Sequence, residues 1–182
     1  MNGPQHDEHA IGGQGVTMIR IGVTGHIGLE PSSRRLIRNA IAAELRKHRP
    51  VHGVTCLADG ADRIFVEALR SCRGTFEAVL PVPEIGAAPE EEREMRELLR
   101  RATDVTRITV PGPPALSYEA ASREVVKRSD LLIAVWDGDK VGARGGTAET
   151  VAYALERGME VSRIWPDGAR RLSLSAVAVA VG

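Results

Sequence analysis

Short apolar, β-branched runs alternate along this chain with longer stretches whose apolar residues recur every three or four positions. "MIRIGVTG" (18–25) is a run of the first kind, stopped by glycine, and predicts a strand. "EPSSRRLIRNAIAAELRKHRP" is of the second kind: Leu36, Ile37, Ala40, Ile41 and Leu45 share one helical face between Pro31 and Pro50. The same alternation continues. "VHGVTCLA" (51–58), "FEAVLPV" (76–82), "VTRITV" (105–110), "LLIAVW" (131–136) and "MEVSRIW" (159–165) read as strands. Between them, "DGADRIFVEALRSCRG" (59–74), "PEEEREMRELLRRA" (89–102), "SYEAASREVVKRSD" (117–130) and "GTAETVAYALERG" (146–158) read as helices. The helix at 89–102 places its acids first and its arginines last, as the helix dipole prefers.

Strands that strictly alternate with helices need right-handed crossovers, and these place helices on both faces of a parallel sheet. The unbroken apolar character of "LLIAVW" marks a central strand buried on both sides. The pattern therefore predicts an α/β fold, a Rossmann-like three-layer αβα sandwich with a mostly parallel central sheet. The domain is expected over residues 18–171. Residues 1–17, rich in Gly, Gln, His and acids, read as a disordered leader. The apolar "LSLSAVAVAVG" (172–182) reads as an added strand, a tail or a partner surface.

Composition narrows the function classes. Lys+Arg and Asp+Glu balance at 24 each, so no polyanion-binding surface is indicated. Aromatics are 3% of the chain, which argues against a base-stacking nucleic-acid platform. No apolar run reaches the roughly 18 residues of a membrane span. Cys56 and Cys72 lack metal-ligand spacing and fit a reduced, cytoplasmic interior. The expectation is a cytoplasmic protein with neither membrane nor nucleic-acid partners.

Parallel sheets bind ligands outside the carboxyl ends of their strands, and three of those ends carry unusual turns. "VTGHIGL" follows the first strand with Gly25, His26 and Gly28; "CLADGADR" ends the second with Ala58, Asp59, Gly60 and Asp62. The fifth ends in "WDGDKVGARGGTAE", with Asp137, Gly138, Gly145, Gly146 and Thr147. All three lie on one edge of such a sheet and are expected to converge. A helix N-terminus offers unpaired N–H groups and partial positive charge, while glycine admits close approach and positive φ. Residues 145–147 thus read as a phosphate cradle. Each residue also has a plainer reading. Asp59 and Thr147 suit helix capping, Asp62 a salt bridge to Arg63 or another cation, Asp137 a type I turn, and His26 simple turn chemistry.

Gly22, Gly25 and Gly28 also imitate a dinucleotide fingerprint. However, neither Tyr118 nor Tyr153 has a lysine four residues on, and no G-K-[ST] occurs. An NAD(P)-dependent short-chain-type oxidoreductase is therefore the weaker alternative.

Taken together, "VTGHIGL", "LADGADR" and "SDLLIAVWDG…RGGTAETVAYA" resemble the SLOG superfamily over about residues 18–165. That superfamily includes DNA-processing A proteins, Lonely-guy phosphoribohydrolases and YpsA-like bacterial proteins. The resemblance implies a pocket for a nucleotide or nucleotide sugar, with which magnesium is compatible, and a homo-oligomer. It makes Glu149 a tentative catalytic residue, since Gly146, Thr147 and Glu149 match a G-T-x-E core. The Lonely-guy arginine falls about nine residues ahead of Asp130, at Ala121; Arg123 lies roughly 160–200° further around the helix. "TGHR" reads "TGHI" here, removing another basic contact. Binding is thus favoured over N-glycosidic hydrolysis of nucleoside monophosphates.

Overall fold

The computed structural model describes residues 17–82, 89–139 and 146–172, the side chains of 89–92 excepted. Strands and helices alternate as β1 (Ile19–Gly25), α1 (Pro31–Leu45), β2 (Val51–Thr55), α2 (Ala61–Ser71), β3 (Thr75–Val82), α3 (Pro89–Arg101), β4 (Val105–Thr109), α4 (Pro114–Lys127), β5 (Leu131–Val135), α5 (Thr147–Glu156) and β6 (Glu160–Ile164). A short 3-10 helix (Arg46–His48) extends α1. All strand pairs are parallel, in the order β4-β3-β2-β1-β5-β6. From β1 the chain steps outward to β4, then returns to β5 on the other flank of β1. The strand order reverses there, so the crevice between the carboxyl ends of β1 and β5 is the topological switch point.

Period-two side-chain alternation builds two faces. Ile21, Val23, Phe76, Ala78, Ile133 and Val135 point into the main core with Ile37 and Ile41 of α1 and Ile64, Phe65 and Leu69 of α2. On the other face Val54 and Val79 meet Ala121 and Val125 of α4, and Leu132 meets Val126 and Ala154 of α5. The α/β sandwich expected from the pattern is the fold observed.

Several boundaries shift by one to three residues, and two of the shifts have a clear local cause. α4 opens at Pro114, three residues before the expected Ser117, with Pro114 in its first turn, where its missing N–H and fixed φ cost nothing. β2 stops at Thr55 because residues 56–58 leave the sheet to wrap Asp62. Most of the expected leader (1–16), Gly145 and residues 173–182 lie outside the described residues.

Candidate functional site

At the switch point the turns after β1 and β2 interlock. Gly25 is in register with Val135, and the His26 N–H donates to the Val135 carbonyl at 3.1 Å. The His26 carbonyl accepts from the Ala61 N–H, the first of α2, at 3.2 Å. Gly60 sits at φ +86°, and a Cβ there would lie 2.5 Å from the His26 carbonyl oxygen. At Gly25 a Cβ would lie 2.4 Å from Ala61 Cβ and 2.8 Å from Val135 Cβ. Both glycines thus let one strand end and one helix start touch.

Asp62 fills the space this creates. Its carboxylate is buried and accepts from Thr55 Oγ1 and the Cys56 N–H, each at 2.9 Å, while the Leu57 N–H donates to Thr55 Oγ1 at 3.1 Å and the Leu57 and Ala58 amides also favour the carboxylate's charge. Leu57 adopts φ +57° to make the wrap. Burial disfavours the charge more than these donors favour it, so the carboxyl is pushed up to about 6. The expected salt bridge to a cation is corrected: Arg63 turns instead to Glu94 at 2.7 Å, and Asp62 is held by uncharged donors. The expected capping by Asp59 is also corrected, because Gly60 occupies the N-cap position without a side-chain cap bond.

His26, Asp137 and Gly138 meet at the carboxyl end of β5. His26 Nε2 lies 2.9 Å from Asp137 Oδ1, and the His26 ring stands edge-on to Trp165 at 5.6 Å. Asp137 Oδ1 also accepts from the Asp139 N–H, while Oδ2 pairs with Arg171 Nε at 2.8 Å. Partial burial opposes the Asp137 charge, but the Asp139 N–H, His26 and Arg171 outweigh it and hold the carboxyl below its usual range. Arg163 Nε and NH2 donate to the carbonyls of Trp136 and Asp137, and its guanidinium packs against Gly138 at φ +95°. Arg163 and Arg171 carry no local motif. They reach this end from 26 and 34 residues downstream of Asp137, joined only by the fold.

α5 begins differently. Its N-cap, Gly146, has φ −77° and ψ 177°, so the positive φ anticipated for the cradle is not used at this residue. No side chain caps the helix; the expected Thr147 cap is corrected, since Thr147 is already the first helical residue and is buried. Thr150 Oγ1 and its N–H both donate to the Gly146 carbonyl at 3.0 Å, which leaves the first-turn N–H groups pointing out of the helix end. Glu149 lies in that first turn.

On the flank of α4 and α5, Ala121 is fully buried in the core, whereas Arg123 pairs with Glu119 at 2.6 Å and lies 5.1 Å from the Tyr153 ring centre. Arg123 and Glu149 together line a notch of about 10 Å³. An open groove of about 600 Å³ runs between α1, α2 and α3, away from the switch point. Among the described residues no group of three or more His, Cys, Asp or Glu is arranged to hold a metal. No described helix is long and apolar enough to cross a membrane, and Cys56 and Cys72 are free thiols.

This arrangement is a Rossmann-like fold shared with several solved structures. The DNA processing protein A of Streptococcus pneumoniae is similar at a TM-score of 0.61 and 16% identity, over 91% of this chain and 57% of that one. This chain therefore spans little more than half of that protein. The corresponding protein of Helicobacter pylori, whose structure concerns single-stranded DNA binding, gives 0.59 and 17% over 90% and 73% of the two chains. The molybdenum cofactor binding protein of Rippkaea orientalis gives 0.53 and 17% over 91% and 84%. At these identities the likeness is one of fold. No protein-family model and no curated relative matches the sequence.

Proposed function

We propose that this protein binds a nucleotide or nucleotide derivative at the switch point, with the ligand phosphate over the N–H groups of Gly146, Thr147 and Ala148. One observation supports the reading: among the described residues, no side chain caps the start of α5, whose N-cap is Gly146. The turn after β2 spends its donors on Asp62, and the first N–H of α2 is spent on the His26 carbonyl. A helix N-terminus free of these commitments favours an anion. His26, Asp137 and Gly138 flank the strand end beside it and suit the sugar or base of the same ligand. That the Rippkaea orientalis protein binds a small cofactor on this fold supports a small-molecule ligand here.

A DNA strand fits less well. The formal net charge is zero, and Tyr118 alone among the six aromatic side chains is exposed, so no stacking platform is presented. N-glycosidic hydrolysis through Arg123 and Glu149 also fits less well. Ala121, at the position of the Lonely-guy arginine, is buried in the core, and Arg123 is engaged by Glu119 and Tyr153. The test is a thermal-shift titration with AMP. A ligand at a hundred times its Kd adds about 2.7 kcal/mol of stability, and a flat titration with AMP, GMP and nucleotide sugars alike defeats the reading.

A further inference from the structure

Beyond β6 the chain turns at Gly168 and runs back as a strap alongside the loop after β1, where Arg171 bridges antiparallel to Leu29. The Leu172 N–H donates to the Gly28 carbonyl at 2.7 Å, and the Glu30 N–H donates to the Arg170 carbonyl at 3.1 Å. The buried Ser33 hydroxyl accepts from the Arg170 N–H at 2.7 Å and lies 3.1 Å from its carbonyl. These bonds tie the strap to the loop after β1. Its hold on the other side of the crevice is Arg171, whose Nε meets Asp137 Oδ2 and whose NH2 meets Asp139 Oδ2, each at 2.8 Å. With Oδ1 of Asp137 already engaged by His26 and the Asp139 N–H, both oxygens of this carboxylate are occupied from within the chain.

We propose that Arg171 is a latch: it bridges the loops after β1 and β5, and ligand entry displaces it from Asp137 and Asp139. The inference rests on the reading that the ligand occupies this crevice, and it adds how access is controlled. The two anchors differ in strength. The strap's backbone bonds and Ser33 hold one side, whereas the Arg171 pairs are partly exposed, and ion pairs of that kind stabilise weakly. Arg171 is therefore the part that gives. A ligand hydroxyl or N–H takes its place on Asp137, while the strap backbone stays on the loop after β1.

The chain has two tryptophans, and both report on the latch: Trp165 stands against His26, and Trp136 Nε1 donates to the Asp139 carbonyl. The experiment compares the wild-type chain with Arg171→Ala and Arg171→Lys, the latter keeping the charge but not the two-pronged fork. Acrylamide quenching of tryptophan emission is measured without ligand, and AMP affinity by calorimetry. Arg171→Ala is expected to increase quenching and to bind AMP roughly two- to fivefold more tightly, the range expected for removing a weak competing ion pair. Arg171→Lys is expected to fall between. Unchanged quenching overturns the latch, as does AMP affinity that stays equal or falls; a fall makes Arg171 a ligand contact. If AMP binds none of the three proteins, the phosphate reading fails, and quenching alone decides whether Arg171 bridges the two loops.

Discussion

Asp62→Asn separates the two things a buried carboxylate does here, organising a loop and carrying a charge. In the native protein Thr55 Oγ1 and the Cys56 N–H donate to it, and the amides of Leu57 and Ala58 also favour its charge. The folded-state carboxyl is raised from 3.8 to about 6. A group raised on folding contributes stability that is fully present below its unfolded value and is lost as pH climbs through its folded value. At about 1.4 kcal/mol per pH unit, the gap corresponds to about 3 kcal/mol in all, of which about 1 kcal/mol is lost between pH 5 and pH 8. The asparagine has no such titration, but its amide NH2 must face loop donors, and leaving buried donors unmatched costs about 1–3 kcal/mol. Urea denaturation of both proteins at pH 5 and pH 8 reads the difference, and shared titrations elsewhere cancel between them. The variant is expected to be less stable at both pH values, with the deficit smaller at pH 8 by about 1 kcal/mol. A deficit that is constant with pH, or larger at pH 8, refutes this account of Asp62.

Two further outcomes follow from the same geometry. Gly25→Ala forces a Cβ to 2.4 Å from Ala61 Cβ and 2.8 Å from Val135 Cβ, so it is expected to lower stability by about 1–3 kcal/mol as an overpacked core does; an unchanged denaturation midpoint contradicts this. Incubation with AMP is expected to release no free adenine above background, because Ala121 is buried and supplies no cation and Arg123 is paired with Glu119. Rapid release that disappears in Glu149→Ala, followed by chromatography, overturns the preference for binding over hydrolysis.

The order of elements was legible in the sequence because hydrophobic period is a local property: a run such as "LLIAVW" has one face for each helical layer wherever it sits. Parallel pairing followed from the alternation alone. The helix at Pro114 was read late because prolines mark both loops and first helical turns, and only the fold decides between them. Asp59 and Asp62 show where local chemistry misleads. Both sit beside a glycine at a helix start, yet the cap is Gly60 and the deeper Asp62 serves the loop before the helix. The turn glycines do fall at the carboxyl edge of the sheet, where Gly25 and Gly60 serve close packing between segments 35 residues apart in sequence. Arg163 and Arg171 were missed for a related reason. Their partners lie on a neighbouring strand end, and no spacing within 26 or 34 residues encodes that meeting.

The claim that a phosphate rests on the start of α5 is tested most directly by Gly146→Val in AMP-binding calorimetry. Gly146 has φ −77° and ψ 177°, an extended conformation that valine adopts without strain, so the substitution adds bulk and leaves the backbone path alone. Charge-assisted bonds of about 1.5–3 kcal/mol each depend on unobstructed approach to the N–H groups of residues 146–148. The account predicts that AMP binding, measurable in the wild-type protein, is lost in Gly146→Val while the melting temperature without ligand is nearly unchanged. A folded Gly146→Val protein that binds AMP with wild-type affinity contradicts it.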